Sequence, residues 1–294
     1  MTLIHTISEL THAVGEVRQH PNLSIGLVPT MGDLHAGHAS LIRRSLEDNE
    51  VTIVSIFVNP TQFNDKNDLN NYPRTLDADC TLISAEKAQV EASGKSGRRI
   101  IVFAPSVEEI YPEPDTRQFS YPPTDSVMEG ARRPGHFNGV CQIVSRLFLM
   151  CQPDKAYFGE KDFQQIAVIR AMMADQGFGF ELVACPIVRE ASGLALSSRN
   201  TLLTDEERQT AVKISRTLFE SVEYAHNHSI GETRQWTVES INATEGLEVE
   251  YFEIVDARTL LPVGNWTDAE HIQGCITVYC GKTPIRLIDN IKYK

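Results

Sequence analysis

The chain has 294 residues, 41% hydrophobic and 22% charged, the proportions of a water-soluble folded protein with room for one large or two ordinary domains. Lys and Arg number 27 against 39 Asp and Glu, a net charge of −12 that disfavours non-specific binding to nucleic acid or anionic membranes. Phosphate-bearing small molecules stay open, because a few placed cations set a local field.

Six cysteines stand at 80, 141, 151, 185, 275 and 280, with no CxxC pair and no zinc spacing, most of them inside apolar runs. They predict buried reduced thiols in a cytoplasmic setting. No run approaches about 18 apolar residues and no signal-peptide pattern opens the chain, so neither a membrane span nor a leader is expected.

Residues 25–28 form a short apolar run that predicts a buried strand, and residues 39–48 predict a helix. Between them lies Pro29-Thr30-Met31-Gly32-Asp33-Leu34-His35-Ala36-Gly37-His38. N–H groups at a helix start lack intrahelical partners and attract anions. Glycine lets a ligand approach the backbone closely, and His35 and His38 fall on one face of the first turn. The constellation fits a triphosphate; the alternative is a turn with two surface histidines. Neither the GxxxxGK[ST] loop nor the GxGxxG fingerprint is present here.

Residues 51–58 predict a β-branched strand that completes a βαβ unit. At its end, Asn59-Pro60-Thr61-Gln62-Phe63 carries amides at a strand terminus. A helix is expected over 76–90, a mobile polar loop over 91–99 and a strand over 99–103. Arg132-Arg133-Pro134-Gly135-His136-Phe137 is a basic turn before a helix over 139–151, either anion-attracting or merely solvated. A strand over 155–158 leads through Gly159-Glu160-Lys161-Asp162 into a helix over 162–176. Lys161 is a point charge suited to phosphate; Asp162 suits a hydrated magnesium or a helix cap. Gln62 and Gln165 donate and accept hydrogen bonds without charge. They suit a hydroxyl-rich, carboxylate-bearing small substrate, or are ordinary loop polarity. A strand over 181–188 closes an alternation that predicts a doubly wound parallel α/β domain over 1–185.

Beyond residue 186 the alternation stops. Leu196-Ser197-Ser198-Arg199-Asn200 sets two hydroxyls and a guanidinium in a row, a phosphate grip that gains weight only beside the histidine loop. Thr204 and Glu207 form a capping-box signature ahead of a helix with Ala211, Ile214, Leu218, Val222 and Ala225 on one stripe. A second helix near 232–242 and strands over 249–255, 275–280 and 285–288 predict a smaller α+β domain over 186–294.

Taken in order, these segments resemble the pantoate–β-alanine ligase (pantothenate synthetase) family from about residue 22 to at least 204. The histidine loop, Val58-Asn59-Pro60-Thr61-Gln62-Phe63, Tyr72-Pro73-Arg74-Thr75, Arg133-Pro134-Gly135-His136-Phe137, Phe158 to Gln165 and Leu196 to Asn200 carry the resemblance. It implies a Rossmann-like first domain, a smaller C-terminal lid, a homodimer, and ATP and Mg2+ as co-substrate and ion. It implies two steps: pantoate and ATP give pantoyl adenylate and pyrophosphate, then β-alanine displaces AMP. Met31, Gly32, Asp33, Leu34, His35, Ala36, Gly37 and His38 would line the ATP site, with His38 as the catalytic acid and His35 beside it on the phosphates. Gly159, Glu160, Lys161, Asp162, Val188, Leu196, Ser197, Ser198 and Arg199 would complete that site. Lys161, Ser197, Ser198 and Arg199 would share in catalysis. Gln62, Gln165, Asn59 and Arg133 would hold pantoate and β-alanine. Magnesium would ride on phosphate oxygens without a protein cage.

Three departures from the family pattern stand out: Asn138 where arginine is frequent, Ser192 where aspartate is frequent, and the polar stretch 91–99 as an insertion. The other readings are a different nucleotidyltransferase built on His-x-Gly-His and a catalytically silent nucleotide-binding module. A tRNA-charging enzyme fits less well, since the chain is acidic and has no evident anticodon domain.

Overall fold

Uninterrupted β-branched runs are suited to a sheet covered on both faces, and residues 25–30, 51–56 and 99–103 stand side by side in one. A computed structural model describes residues 1–64 and 66–294. Its elements run β1 (Thr2–Ile4), α1 (Ile7–Arg18), β2 (Ile25–Thr30), α2 (Ala36–Asp48), β3 (Val51–Ile56), α3 (Lys66–Asn71), α4 (Leu76–Ala92), β4 (Arg99–Phe103), α5 (Val107–Ile110) and α6 (Met128–Arg132). They continue with α7 (His136–Cys151), β5 (Lys155–Gly159), α8 (Phe163–Gln176), β6 (Glu181–Cys185), α9 (Asp205–Ala225), α10 (Ile230–Asn242), β7 (Leu247–Asp256), β8 (Ile272–Cys280) and β9 (Ile285–Lys292). Tight 3-10 turns lie at Pro60–Gln62, Glu160–Asp162 and Ser198–Leu202.

The first unit comprises Met1–Tyr121, Arg133–Glu160 and Val168–Cys185. Its six strands are all parallel, in the order β1-β4-β3-β2-β5-β6, so the expected Rossmann-like doubly wound sheet is present. The chain leaves β2 towards β3 on one side and β5 towards β6 on the other. The topological switch point therefore lies between the carboxyl ends of β2 and β5, where open α/β sheets bind their ligands. Val28, Leu41, Ile42, Leu46, Val54, Ile83 and Val102 pack α2 and α4 on the sheet. Each such buried side chain contributes about 1.5–3 kcal/mol.

The second unit comprises Pro122–Arg132, Lys161–Ala167 and Pro186–Lys294. Two of these segments precede residue 186 in the chain. Its sheet is antiparallel in the order β7-β8-β9. Leu194, Ala211, Ile214, Leu218, Ile241, Phe252, Ile276 and Val278 form the core that α9 and α10 share with this sheet.

Several element limits differ from the sequence reading for local reasons. Helix α2 starts three residues earlier than expected because His35 caps it. The strand expected to reach 188 stops at Cys185, ahead of Pro186. The stretch 91–99 is shorter as a loop than expected, since α4 runs through Ala92 and β4 begins at Arg99. Elements β1, α1, α3, α5 and α6 went unread, although α1 carries a capping box between Thr6 and Glu9. All six cysteines are free thiols, five of them buried. Among the described residues no helix is long and apolar enough to cross a membrane.

Candidate active site

Strand β2 ends at Thr30, whose hydroxyl donates to Ser55 O at 2.7 Å and accepts from Gly32 N at 3.3 Å. Gly32 then takes φ +83°, and a Cβ there would lie 3.2 Å from both Asp79 Oδ2 and Ile56 Cγ2. Only glycine meets both demands. Asp33 follows at φ +51°, a conformation that aspartate tolerates. The loop is held from behind by Asp79 of α4, which is 2% exposed. Its carboxylate accepts from Leu34 N at 2.8 Å, Asp33 N at 3.2 Å and Thr75 Oγ1 at 3.2 Å.

His35 and His38 form a capping box made of two imidazoles. His35 Nδ1 accepts from Gly37 N at 3.1 Å, and His38 Nδ1 accepts from His35 N at 3.4 Å. Backbone N–H groups thus occupy both Nδ1 lone pairs. That places the ring protons on Nε2, making Nε2–H the donor of each ring. The rings lie 4.2 Å apart at 34°. Two neighbouring imidazoles at the start of α2, beside the switch point, form an arrangement suited to a polyanion.

A third group gathers around the turn after β3. Gln62 Nε2 donates to Met31 Sδ, and its Oε1 accepts from Asn59 Nδ2 at 3.3 Å, so the histidine loop and the glutamine turn meet. Asn59 is 1% exposed. Its Nδ2 also donates to Gly139 O at 3.0 Å, and its Oδ1 accepts from Tyr111 OH at 2.9 Å and Thr61 Oγ1 at 3.2 Å. Burial pushes the Tyr111 phenol up, which keeps it a neutral donor. Expected from sequence among the substrate ligands, Asn59 has its side chain engaged on both sides in holding this turn. His136, at the start of α7, donates from Nδ1 to Gln62 O at 2.9 Å and meets Arg133 Nη1 at 3.2 Å through Nε2. Arg133 also reaches Gln62 O at 3.5 Å. Asn138 accepts from Phe119 N at 2.8 Å, a backbone tie where the family often has a cation.

Helix α7 approaches this turn so closely that position 139 must be glycine. A Cβ there would lie on the Thr61 carbonyl and 2.7 Å from Gln62 N. Gly139→Ala is therefore expected to destabilise the protein by about 1–3 kcal/mol. A lowered midpoint of denaturant unfolding is the readout; an unchanged midpoint would contradict the close approach.

Gly159 and Glu160 lie at the end of β5 in the first unit, and the candidates from Lys161 onward belong to the second. Lys161 Nζ stands 3.8 Å from Asp162 Oδ2, and Lys161 O accepts from Asn290 Nδ2 at 3.0 Å. Gln165 is partly exposed, whereas its neighbour Gln164 is buried. Gln164 Nε2 donates to Thr124 O and Val127 O, both at 2.8 Å, and its Oε1 accepts from Glu129 N at 3.0 Å. Val188 O accepts from Leu196 N at 3.1 Å, and Glu190 N donates to Leu194 O at 2.8 Å, closing a hairpin that delivers Ser197. Ser197 Oγ accepts from Arg199 N at 3.3 Å and so caps the turn that carries Ser198 and Arg199. Ser192 is exposed near the tip of that hairpin, beside Gly193 at φ +99°. Among the described residues no group of three His, Cys, Asp or Glu side chains could hold a metal ion.

Sequence reading missed Asp79, and gave no task to His136 or Gly139. Asp79 sits in a helix whose acidic residues look alike in sequence. Its burial depends on the histidine loop, which is distant along the chain.

Comparison with known proteins shows the family. The family model for pantoate-beta-alanine ligase matches residues 2–292. The chain belongs to the pantoate–β-alanine ligase family. A pantothenate synthetase from Bacteroides fragilis is 60% identical over 294 residues, covering 100% of this chain and 99% of that one. The crystal structure of pantothenate synthetase from Thermus thermophilus superposes with a TM-score of 0.88 at 40% identity, covering 100% and 99% of the two chains. A pantoate-beta-alanine ligase from Francisella tularensis, complexed with beta-gamma ATP and beta-alanine, superposes with a TM-score of 0.77 at 33% identity, covering 100% and 98%.

Proposed function

We propose that this chain joins pantoate to β-alanine at the expense of ATP, giving pantothenate, AMP and pyrophosphate through a pantoyl adenylate. The observation that carries this reading is the imidazole pair whose Nδ1 atoms are occupied by backbone N–H groups. Each ring then carries its proton on Nε2, at a helix start. In the first step a pantoate carboxylate oxygen attacks the α-phosphorus and the bond to pyrophosphate breaks. His35 and His38 meet the charge that shifts onto the phosphate oxygens as Nε2–H hydrogen-bond donors, His38 filling the place expected of the acid without giving up its proton. Lys161, Ser197, Ser198 and Arg199 bind the triphosphate. Met31 to Ala36, Gly37, Gly159, Glu160, Asp162, Val188 and Leu196 line the ATP site. In the second step the neutral amine of β-alanine attacks the acyl carbon, and AMP leaves with the former carboxylate oxygen. Gln62 and Gln165 orient pantoate, with Gln62 also near β-alanine. Arg133 and Asn59 serve by fixing the Gln62 turn.

Mg2+ prefers phosphate oxygens and water with one or two carboxylates. Asp162, with a side chain 48% exposed, offers such a carboxylate beside Lys161. When bound, the ion would neutralise phosphate charge. The resemblance to the family extends the reading to a cytoplasmic homodimer and to a lid task for the C-terminal domain.

ATP–pyrophosphate exchange tests this directly. It is expected to require pantoate and to ignore other carboxylates. Exchange driven equally well by amino acids, or absent with pantoate, would overturn the assignment. Arg199→Lys is expected to be impaired in the same assay, because a planar fork gives way to a point charge; full activity would leave Arg199 a structural task.

A further inference from the structure

Near the end of the chain, Asp289 and Asn290 are each 4% exposed and are tied to both phosphate-gripping segments of the second unit. Successive residues of a strand point to opposite faces of its sheet. On the face of β9 that carries Leu287 into the core with α9, Asp289 accepts from Arg189 Nη1 at 2.6 Å and Nη2 at 2.9 Å. Arg189 also donates to Gly193 O at 3.3 Å, inside the hairpin that delivers Ser197, Ser198 and Arg199. On the opposite face, shared with Arg286, Asn290 Nδ2 donates to Lys161 O at 3.0 Å. The amide cannot flip without loss, because its Oδ1 accepts from Gln273 Nε2 at 2.7 Å. Asn290 N donates to Asp289 Oδ1 at 2.8 Å, which ties the Asp289 carboxylate to the Asn290 main chain.

We infer that Asp289 and Asn290 are positioning residues for adenylyl transfer. As one rigid pair on β9 they fix Lys161 relative to the Ser197–Arg199 turn. The inference rests on the proposed role of those segments as the ATP grip. Both residues are buried and act through Lys161 and the Ser197–Arg199 turn. Asn290 takes hold of Lys161 through the main chain, so the ammonium group stays with the phosphate. A template of this kind matters because a misplacement of roughly 1 Å at a reacting group costs about a hundredfold in rate. It also gives the small sheet a chemical task, which its sequence did not reveal.

The test is Asn290→Asp, which keeps the oxygen facing Gln273 and removes the donor to Lys161. Asn290→Ala, which adds no charge, is the second variant. In pantoate-dependent exchange, kcat/KM for ATP is expected to fall about ten- to a hundredfold, with KM for pantoate unchanged; the thermal midpoint is expected to fall in both variants, because each disturbs a buried hydrogen-bonded amide. In a Lys161→Ala background the same substitution is expected to change the rate by less than about twofold, since contacts that act through one group are not additive. ATP titration without pantoate is expected to show affinity weakened about tenfold. Unaltered ATP kinetics in both variants would overturn the inference. So would equal losses in the two backgrounds, or a parallel loss of ATP and pantoate parameters. Failure of the functional reading looks different: the unsubstituted protein itself would show no exchange, and the ATP titration would then read positioning alone.

Discussion

Replacing His38 with alanine is expected to slow pantoate-dependent exchange by about 10²–10³-fold, the usual loss for one donor aimed at developing charge. The fold should lose little. His38 Nδ1 accepts from His35 N at 3.4 Å, and removing such a cap costs about 0.5–2 kcal/mol. Two further variants separate the roles. His38→Asn keeps an acceptor near the Nδ1 position and lacks the outer donor, so it should regain the cap and stay slow. His38→Gln reaches the Nε2 position with an N–H, so it should recover part of the rate. Single-turnover adenylation gives the rate and urea unfolding gives the stability. An unchanged rate in His38→Ala would remove the histidine from the chemistry.

The second large effect concerns stability. Glu129 is 9% exposed. It accepts from Arg286 Nη1 and Nη2, each at 2.7 Å, from Tyr251 OH at 2.8 Å and from Thr277 Oγ1 at 2.9 Å. Arg286 also grips Glu250, at 2.6 Å. Burial alone would raise the Glu129 carboxyl, but Arg286, Tyr251 and Thr277 outweigh it and hold the group at about 2, below its ordinary 4.5. Arg286→Met leaves that charge buried and uncompensated, a loss of about 3–5 kcal/mol.

The pH dependence should change sign with it. In the natural chain the folded value is depressed, so the contribution is full above pH 4.5 and disappears as pH falls through about 2. In Arg286→Met burial acts unopposed by the guanidinium and raises Glu129. The deficit is then greatest at neutrality and shrinks in mild acid as the carboxyl takes up a proton. Adding Glu129→Gln to Arg286→Met should restore part of the stability. A deficit that does not vary with pH would contradict this account.

Local signals carried much of the reading. The β-branched run at 51–56 and the stripe of Ala211, Ile214 and Leu218 decide their own structure, because burial on one face or both is written in their spacing. The His-x-Gly-His loop was equally legible as an anion site at a helix start. What stayed hidden depends on partners distant in sequence. Asp79 behind the loop, Gly139 against Thr61, and Glu129 paired with Arg286 acquire their roles only after the chain has folded. Asn59 shows the opposite case: a polar residue at a strand end reads as a ligand, yet its amide holds the turn that presents Gln62. The segment Pro122–Arg132 lies before residue 186 but belongs to the second unit, and no composition shift marks it.

The central claim is that a pantoate carboxylate oxygen attacks the α-phosphorus of ATP. Pantoate labelled with oxygen-18 in its carboxylate, turned over with ATP and β-alanine and followed by mass spectrometry of the nucleotide, tests it most directly. The account predicts one labelled oxygen in each AMP formed from fully labelled acid, with one label left in pantothenate. AMP without label, or label appearing in inorganic phosphate beside ADP, would contradict it.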